Sequence, residues 1–478
     1  MIDEIVVPKS WIIAIFRDIL TLNYGKGLRK DKRDDKGDFA VFGSSGVVGY
    51  HSNCLLNHPC LIIGRKGSIG KIFKSITPCW PIDTTYYLTP PKQIDLDFLF
   101  HLFNSLGFDR MDKSTAIPGL NRDDVYKRTI ILPPLNEQRR IVAKIEKLFT
   151  KLDAGMDLLK DLKVQVKRYR QAVLKSAFTG ELTREWREEQ LKDPNSLLNK
   201  EPASSLVVKI RKKREELEKN QKIKVRKEKL LSPIDILKLS KLPECWKWVQ
   251  IGEICKVVSG KTPKGINKIN NNNGLPFFKV ADMNRAENRI YMRKAGIYLN
   301  VRQIKELKPK VVKRKTVIFP KRGGAIATNK IRIINKDSAF DLNIMGVCPL
   351  IFPDKYFFYL ISSVNLITLS DGSNVPQINH HDIEPLVIPF APLSEQKVII
   401  EEIDKHFSIA DELEKFIDQS IKQGKKLRQS ILKKAFEGKL VPQDPNDEPA
   451  SVLLKKIKAE KAKREAEEKS RRKKSKRK

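Results

Sequence analysis

The string GRKGSIGK at 64–71 comes close to the loop that cradles nucleotide phosphates. That loop needs Gly, four residues, then Gly-Lys and Ser or Thr, a spacing that aims backbone N–H groups at the phosphates while the hydroxyl meets magnesium. Here five residues separate Gly64 from Gly70, and Ile72, which cannot ligate a metal, follows Lys71. A second string, HSNCLLNHPC at 51–60, gathers four possible zinc ligands in His51, Cys54, His58 and Cys60. Its spacing matches no common zinc module. The other reading is a polar loop running into a buried strand, with Cys60 as a small apolar residue.

Composition narrows the partners. At 478 residues, 40% apolar and with 21 Phe, the chain has material for several packed domains. Lys and Arg outnumber Asp and Glu by 93 to 57, a net charge of +36 that favours polyanions and puts nucleic acid first. Part of the surplus lies in charge runs at 209–230 and in the tail, but the rest is still basic. The start, MIDEIVVPKSWIIAIF, has early acids and no basic stretch of the signal-peptide kind, and no apolar run approaches a membrane span. The six cysteines contain no Cys-x-x-Cys pair, which suits a reducing compartment; a soluble cytoplasmic protein is expected.

The chain is written twice. PLNEQRRIVAKIEKLF at 134 returns as PLSEQKVIIEEIDKHF at 392, and RQAVLKSAFTGEL at 170 as RQSILKKAFEGKL at 428. Residues 134–182 and 392–440 share 19 identities in 49 positions at a constant offset of 258. Backward, IPGLNRDDV at 117–125 matches VPQINHHDI at 375–383, and the apolar stretches DFLFHLFNSLGF and DKYFFYLISSVNLI correspond as helix candidates. EPASSLVVKI at 201 returns as EPASVLLKKI at 448, and PKSW at 8 pairs with PECW at 243. The second half answers GRKGSIGK with FPKRGGAIATNK, which keeps the basic residues and a glycine turn but drops Gly70-Lys71. What both copies share suits phosphodiester contact, where glycine admits a close backbone approach. The candidate DNA-binding residues are Arg65, Lys66, Gly67 and Ser68 in one copy, and Lys321, Arg322, Gly323 and Gly324 in the other; a plain glycine hairpin is the alternative.

The repeated segment is a helix. Ile145, Leu152, Leu159, Val166 and Val173 recur every seven residues, beside Ile141, Leu148, Leu162 and Tyr169. In the second copy Ile403, Ala410, Ile417 and Ile431 form one column, Ile399, Leu413 and Leu427 the other, with His406, Ser420 and Gly424 as weaker places. Two columns over several heptads predict a coiled-coil seam. Asn136 and Ser394 are the expected N-caps, and Gly180 and Gly438 the C-terminal stops. Paired through the same face about a two-fold axis, such helices run antiparallel, with the globular parts at opposite ends.

Two variable regions, each led by Pro-x-x-Trp, closing on PL-x-EQ and followed by a long helix ending AF-x-G-x-L, resemble the specificity subunit of type I restriction-modification systems over nearly the whole chain. The resemblance implies a mixed α/β protein in which two target-recognition domains are separated by a pair of long antiparallel coiled-coil helices, as an internal pseudo-two-fold repeat. On that pattern, 1–133 is the first recognition domain, 134–182 the first helix, 183–242 a basic linker, 243–391 the second recognition domain, 392–440 the second helix and 441–478 a basic tail. It further implies that each domain reads half of a split double-stranded DNA target, while the helices set the distance and hold methyltransferase and restriction (translocase) subunits. S-adenosylmethionine, ATP and magnesium belong to those partners, so no catalytic residue, metal or cofactor is expected here. The strings LPPL and TPPK lack both ends of the adenine-methylation loop. A duplicated DNA nuclease or modification enzyme is the competing reading. Asp83 and Asp341, and Asp124 and Asp382, share the offset, but no metal-ligand set accompanies them; Asp124 and Asp382 read as turn or capping residues.

Overall fold

The computed structural model describes residues 7–34, 37–111, 119–219 and 239–475. Part of the expected linker (220–238) and the first two residues of the 117–125 motif lie outside the described residues. The chain forms two compact units, 1–161 with 417–478, and 162–416, whose boundaries fall inside the two long helices.

In the first unit, short strands alternate with turns. Cys60–Gly64 is apolar throughout and wholly buried, as expected of a central strand covered on both faces. It lies in a four-stranded sheet between Thr85–Leu88 and Ile72–Ser75, with Asn23–Tyr24 beyond Thr85–Leu88, all antiparallel. A three-stranded sheet holds Phe39–Gly43 between Gly46–His51 and Cys79–Pro81. The apolar helix candidate is the helix Leu96–Ser105, capped by Asp95, which accepts from the amides of Asp97 and Phe98. Ile12–Ile15 pairs with Thr129–Leu132, bringing the two ends of the recognition region together.

The second unit follows the same plan with longer sheets. Lys247–Gln250 pairs with Val387–Phe390, and Val317–Pro320 lies beside Ile344–Pro349 in a five-stranded sheet. A further four-stranded sheet is built around Leu275–Phe278 and Ser338–Phe340. Helix Asp354–Ser363 buries Tyr356, Phe357, Phe358 and Tyr359. The architecture is mixed α/β. Among the described residues no helix is long and apolar enough to cross a membrane.

The long helices are Leu135–Thr179 and Leu393–Phe436. They start one residue before the expected caps Asn136 and Ser394: the Gln138 amide already donates to the Pro134 carbonyl and the Gln396 amide to the Pro392 carbonyl, 2.9 Å each, and both glutamine side chains also fold back. Gln138 Nε2 donates to the Pro133 carbonyl (2.9 Å) and Gln396 Nε2 to the Ala391 carbonyl (2.8 Å). At the other ends Gly180 and Gly438 take the left-handed conformation, φ +83° and +72°, which stops the helix. Ile145, Val166 and Val173 are buried and Leu152 and Leu159 half-buried; Ile403, Ala410, Ile417, Gly424 and Ile431 are all buried. The second expected column holds only in part: Ile141 and Ile399 are buried and Leu148 and Leu162 half-buried, while Leu413, Leu427 and Tyr169 are exposed.

The repeated motifs meet at the helix ends. In the second unit Glu395, fully buried, accepts from Arg187 (2.7 Å), Thr183 Oγ1 (2.7 Å) and Trp246 Nε1 (2.7 Å). Arg187 also donates to the Gly180 carbonyl at 2.8 Å. A Cβ on Gly180 would stand 2.6 Å from Pro243. The Ala203 amide donates to the Cys245 carbonyl (3.0 Å), tying in the EPAS segment. In the first unit Gly438 packs on Pro8 and the Ala450 amide donates to Ser10 (3.1 Å). There the buried Glu137 takes Gln443 Nε2 at 3.1 Å, and Arg140 pairs with Asp447 at 2.6 Å. Removing one partner of a buried ion pair leaves a stranded charge, so Arg187→Ala should destabilise the protein by about 3–5 kcal/mol. Denaturant melts check this, and a loss under 1 kcal/mol on the same scale would show that the pair does not hold the junction.

Candidate nucleic-acid interface

The candidate loops leave central strands in both units. After Cys60–Gly64, the amides of Arg65 and Lys66 donate to the Thr84 carbonyl (2.9 and 3.2 Å) and the Leu120 amide donates to the Arg65 carbonyl (2.8 Å). Lys66 thereby bridges Gly119. After Val317–Pro320, the Ile378 amide donates to the Lys321 carbonyl (2.9 Å) and Arg322 bridges Gln377. Each basic loop is thus pinned to the segment that the sequence comparison paired, 117–125 or 375–383.

The glycines explain the opening string. Gly67 and Gly323 have φ of +81° and +70°, and beside Gly323 and Gly324 an added Cβ would meet nothing within 4 Å. Those faces are open to a close approach from outside the protein. Gly70 serves the interior: a Cβ there would lie 2.2 Å from the Asp109 amide. The pair Gly70-Lys71 is spent on loop packing, with Lys71 O accepting from Gly64 N at 2.9 Å.

Side chains converge beside each loop. Lys66, Gly67 and Arg322 are exposed, Arg65, Ser68 and Lys321 half-buried. The Arg65 guanidinium donates through Nε and Nη2 to the Asp83 carbonyl (3.1 and 2.6 Å) and lies over the Tyr24 ring at 5.2 Å. Arg122 lies over the same Tyr24 ring at 5.1 Å and over Tyr126 at 5.7 Å. Burial, then the neighbouring Tyr24 hydroxyl, push the phenol of Tyr86 up to about 12; it donates to the Leu120 carbonyl (3.1 Å). In the second unit Lys321 Nζ donates to Ser259 Oγ (3.4 Å), Ser259 meets His380 Nε2 (3.0 Å), and His380 Nδ1 meets Glu384 (3.1 Å). Burial, then Arg322, hold the Lys321 ammonium below the usual lysine range; burial, then Lys256 and Lys321, do the same for Lys310. Cations crowded this way favour an incoming polyanion.

Arg122 and His380 occupy matching places in the paired strings, just after the capping residues Asn121 and Asn379. Sequence reasoning passed over them, and it missed Tyr24 and Ser259 outright, since their strands share no recognisable string. Asp382 completes the capping box with Asn379, and Asp124 sits in the first turn of Arg122–Tyr126. Two of the four possible zinc ligands have other partners: His58 Nε2 meets Thr89 Oγ1 (2.8 Å), and Cys60 is buried beside Cys79 (3.7 Å). Among the described residues no group of three or more His, Cys, Asp or Glu could hold a metal ion.

Two frames of paired ends, each presenting a basic glycine loop, match the type I restriction modification DNA specificity domain at 8–168 and again at 243–423, and the chain belongs to that family. Its role is DNA sequence specificity. Among similar proteins, the specificity subunit of type I restriction enzyme EcoDI from Escherichia coli is 25% identical over 476 residues, 95% of this chain and 96% of that one. The EcoKI specificity subunit from E. coli strain K12 is 24% identical over 523 residues, with 95% and 96% covered. In fold, a chain of a type I restriction-modification system has a TM-score of 0.64 at 18% identity, over 91% of this chain and 99% of that chain. The HsdS subunit from Thermoanaerobacter tengcongensis gives 0.50 at 19%, over 91% and 98%.

Replacing Lys66 or Arg322 with Ala should weaken DNA binding across sequences and flatten the dependence of log K on log salt by roughly 0.9 per lost phosphate contact. Titrations at several salt concentrations measure it; an unchanged slope removes that loop from the interface.

Proposed function

We propose that the chain is the DNA-recognition subunit of a type I restriction-modification complex, with each domain reading one half of a bipartite, gapped target. The observation that carries this reading is the duplicated loop: Lys66 bridged to Gly119 and Arg322 to Gln377, each beside a glycine of positive φ, Gly67 and Gly323. The chain is a non-catalytic partner; chemistry, metal and cofactors belong to the methyltransferase and restriction (translocase) subunits it joins in the cytoplasm.

The two long helices act as spacer and scaffold, running as an antiparallel coiled-coil pair with pseudo-two-fold symmetry. In support, rising numbers on one helix meet falling numbers on the other: Arg428 lies over Phe149 at 4.1 Å and pairs with Asp153, while Gly424 would contact Met156 through an added Cβ at 3.3 Å. Arg170 pairs with Asp411 and Glu414, and the Tyr169 hydroxyl meets His406 Nδ1 at 2.7 Å. Ile409, Leu413 and Phe416 follow one another along one face of the second helix and are exposed, the kind of apolar stripe a partner subunit covers.

Co-expression with its methyltransferase partner should methylate one asymmetric, gapped motif; sequencing of modified bases that finds no such motif rules the reading out. Seven residues inserted into both helices, near Leu159 and Ile417, keep the seam in phase and add ~10 Å. The half-sites should persist while the gap grows by roughly three base pairs, at ~3.4 Å each. Altered half-sites with an unchanged gap would show that the helices do not measure distance.

A further inference from the structure

Strand register places the two side-chain clusters at the same positions. Gly64 faces Thr85 and Pro320 faces Ile344, so Tyr86 and Met345 are equivalent; their partners on the next strand are Tyr24 and Ser259. Arg65 and Lys321 are the first residues of their loops. Arg122 and His380 follow the capping asparagines, and Tyr126 and Glu384 come four residues later. The same four positions therefore hold Tyr24, Arg65, Arg122 and Tyr126 in one domain, and Ser259, Lys321, His380 and Glu384 in the other.

Their chemistry differs in kind. The first set has two permanent cations and no acid, with Arg17 adding a third guanidinium 5.5 Å from the Tyr126 ring. Tyr24, half exposed, is flanked by Arg65 and Arg122. Arg65 gives its Nε/Nη2 edge to the Asp83 carbonyl, which fixes the plane of the guanidinium and leaves the Nη1/Nη2 end for a ligand. Its remaining N–H groups suit end-on contact with a phosphate. The second set balances one lysine against one carboxylate, which leaves phosphate contact in that loop to the exposed Arg322. It forms a chain of hydrogen bonds instead: Lys321 Nζ donates to Ser259 Oγ (3.4 Å), Ser259 Oγ meets His380 Nε2 (3.0 Å) and His380 Nδ1 meets Glu384 (3.1 Å), so a neutral His380 that gives its Nδ1–H to the carboxylate accepts the Ser259 hydroxyl at Nε2. A carboxylate on Nδ1 fixes the tautomer, and the chain aims the remaining ammonium protons of Lys321. Lysine held in this way matches the paired acceptors of a guanine edge.

Resting on the DNA-specificity reading, we propose that these positions meet DNA in both domains with different duties. The Tyr24 set grips the phosphodiester backbone, and the Ser259 set reads base edges in the half-site of the second domain.

The test uses the complex with its methyltransferase subunit, mapping the methylated motif and measuring the salt dependence of binding to duplex DNA that carries it. Arg65→Gln with Arg122→Gln should lower the salt slope by close to two units, at about 0.9 per contact, and leave every motif position intact. Ser259→Ala and His380→Gln should relax one or more positions in one half-site only, with gap, other half and salt slope unchanged. Lys321→Arg keeps the charge while altering the chain of hydrogen bonds, so it should shift base preference without moving the slope. Motif changes from the arginine variants, slope changes without motif changes from the serine and histidine variants, or no effect from any variant would each overturn the proposal. A wild-type complex that yields no gapped motif would instead remove the specificity reading beneath it.

Discussion

A buried carboxylate at the head of a long helix can exist only if donors surround it, because an unpaired charge away from water costs several kcal/mol or more. Glu395 meets that demand with Arg187, Thr183 and Trp246, drawn from the segment after the first helix and from the start of the second recognition region. One side chain thus ties together a helix beginning, a helix end and a domain's point of departure. The strand Lys247–Gln250 begins right after Trp246, and Val387–Phe390 ends just before the helix; their pairing closes the domain on the same junction. The placement of Lys321 and Arg322 follows from that anchoring.

The first unit meets the same demand only in part, since Glu137 is donated to at Oε1 while its buried Oε2 takes no hydrogen bond. Glu137 takes an amide donor from Gln443 in place of a guanidinium, and Arg140 with Asp447 supplies the ion pair next to it. The helix stop at Gly438 against Pro8 mirrors that at Gly180 against Pro243. What persists between the copies is the backbone frame, with its glycine stops, proline contacts and strand pairs; the side chains that complete it vary.

That separation of frame from content suits a protein whose role is specificity. Register is a property of backbone hydrogen bonds, so side chains facing outward can change without slipping a strand whose other face is buried. Tyr24 and Ser259 sit opposite equivalent residues, yet one offers a ring to two guanidinium groups and the other only a hydroxyl. The loops beside them keep a basic residue and a glycine with positive φ, which only the backbone geometry requires.

Much was legible in the residues alone. The offset repeat, the helices with their glycine stops and the basic loops rest on periodicity and on residues whose backbone preferences are local, so sequence order suffices to see them. The sequence also showed that the string at 64–71 could not be a nucleotide loop, though not that Gly70 passes within contact of the Asp109 backbone. Tertiary structure decided the rest: the exposure of the second seam column at Leu413 and Leu427, the helix starts at Leu135 and Leu393, and the convergence of Thr183, Arg187 and Trp246 on Glu395. It also assembled Tyr24 with Arg65 and Arg122, and Ser259 with Lys321 and His380. Those groupings join residues up to 121 positions apart, as between Ser259 and His380. Contacts over such separations are set by how sheets and loops pack, and no local preference or spacing along the chain encodes them.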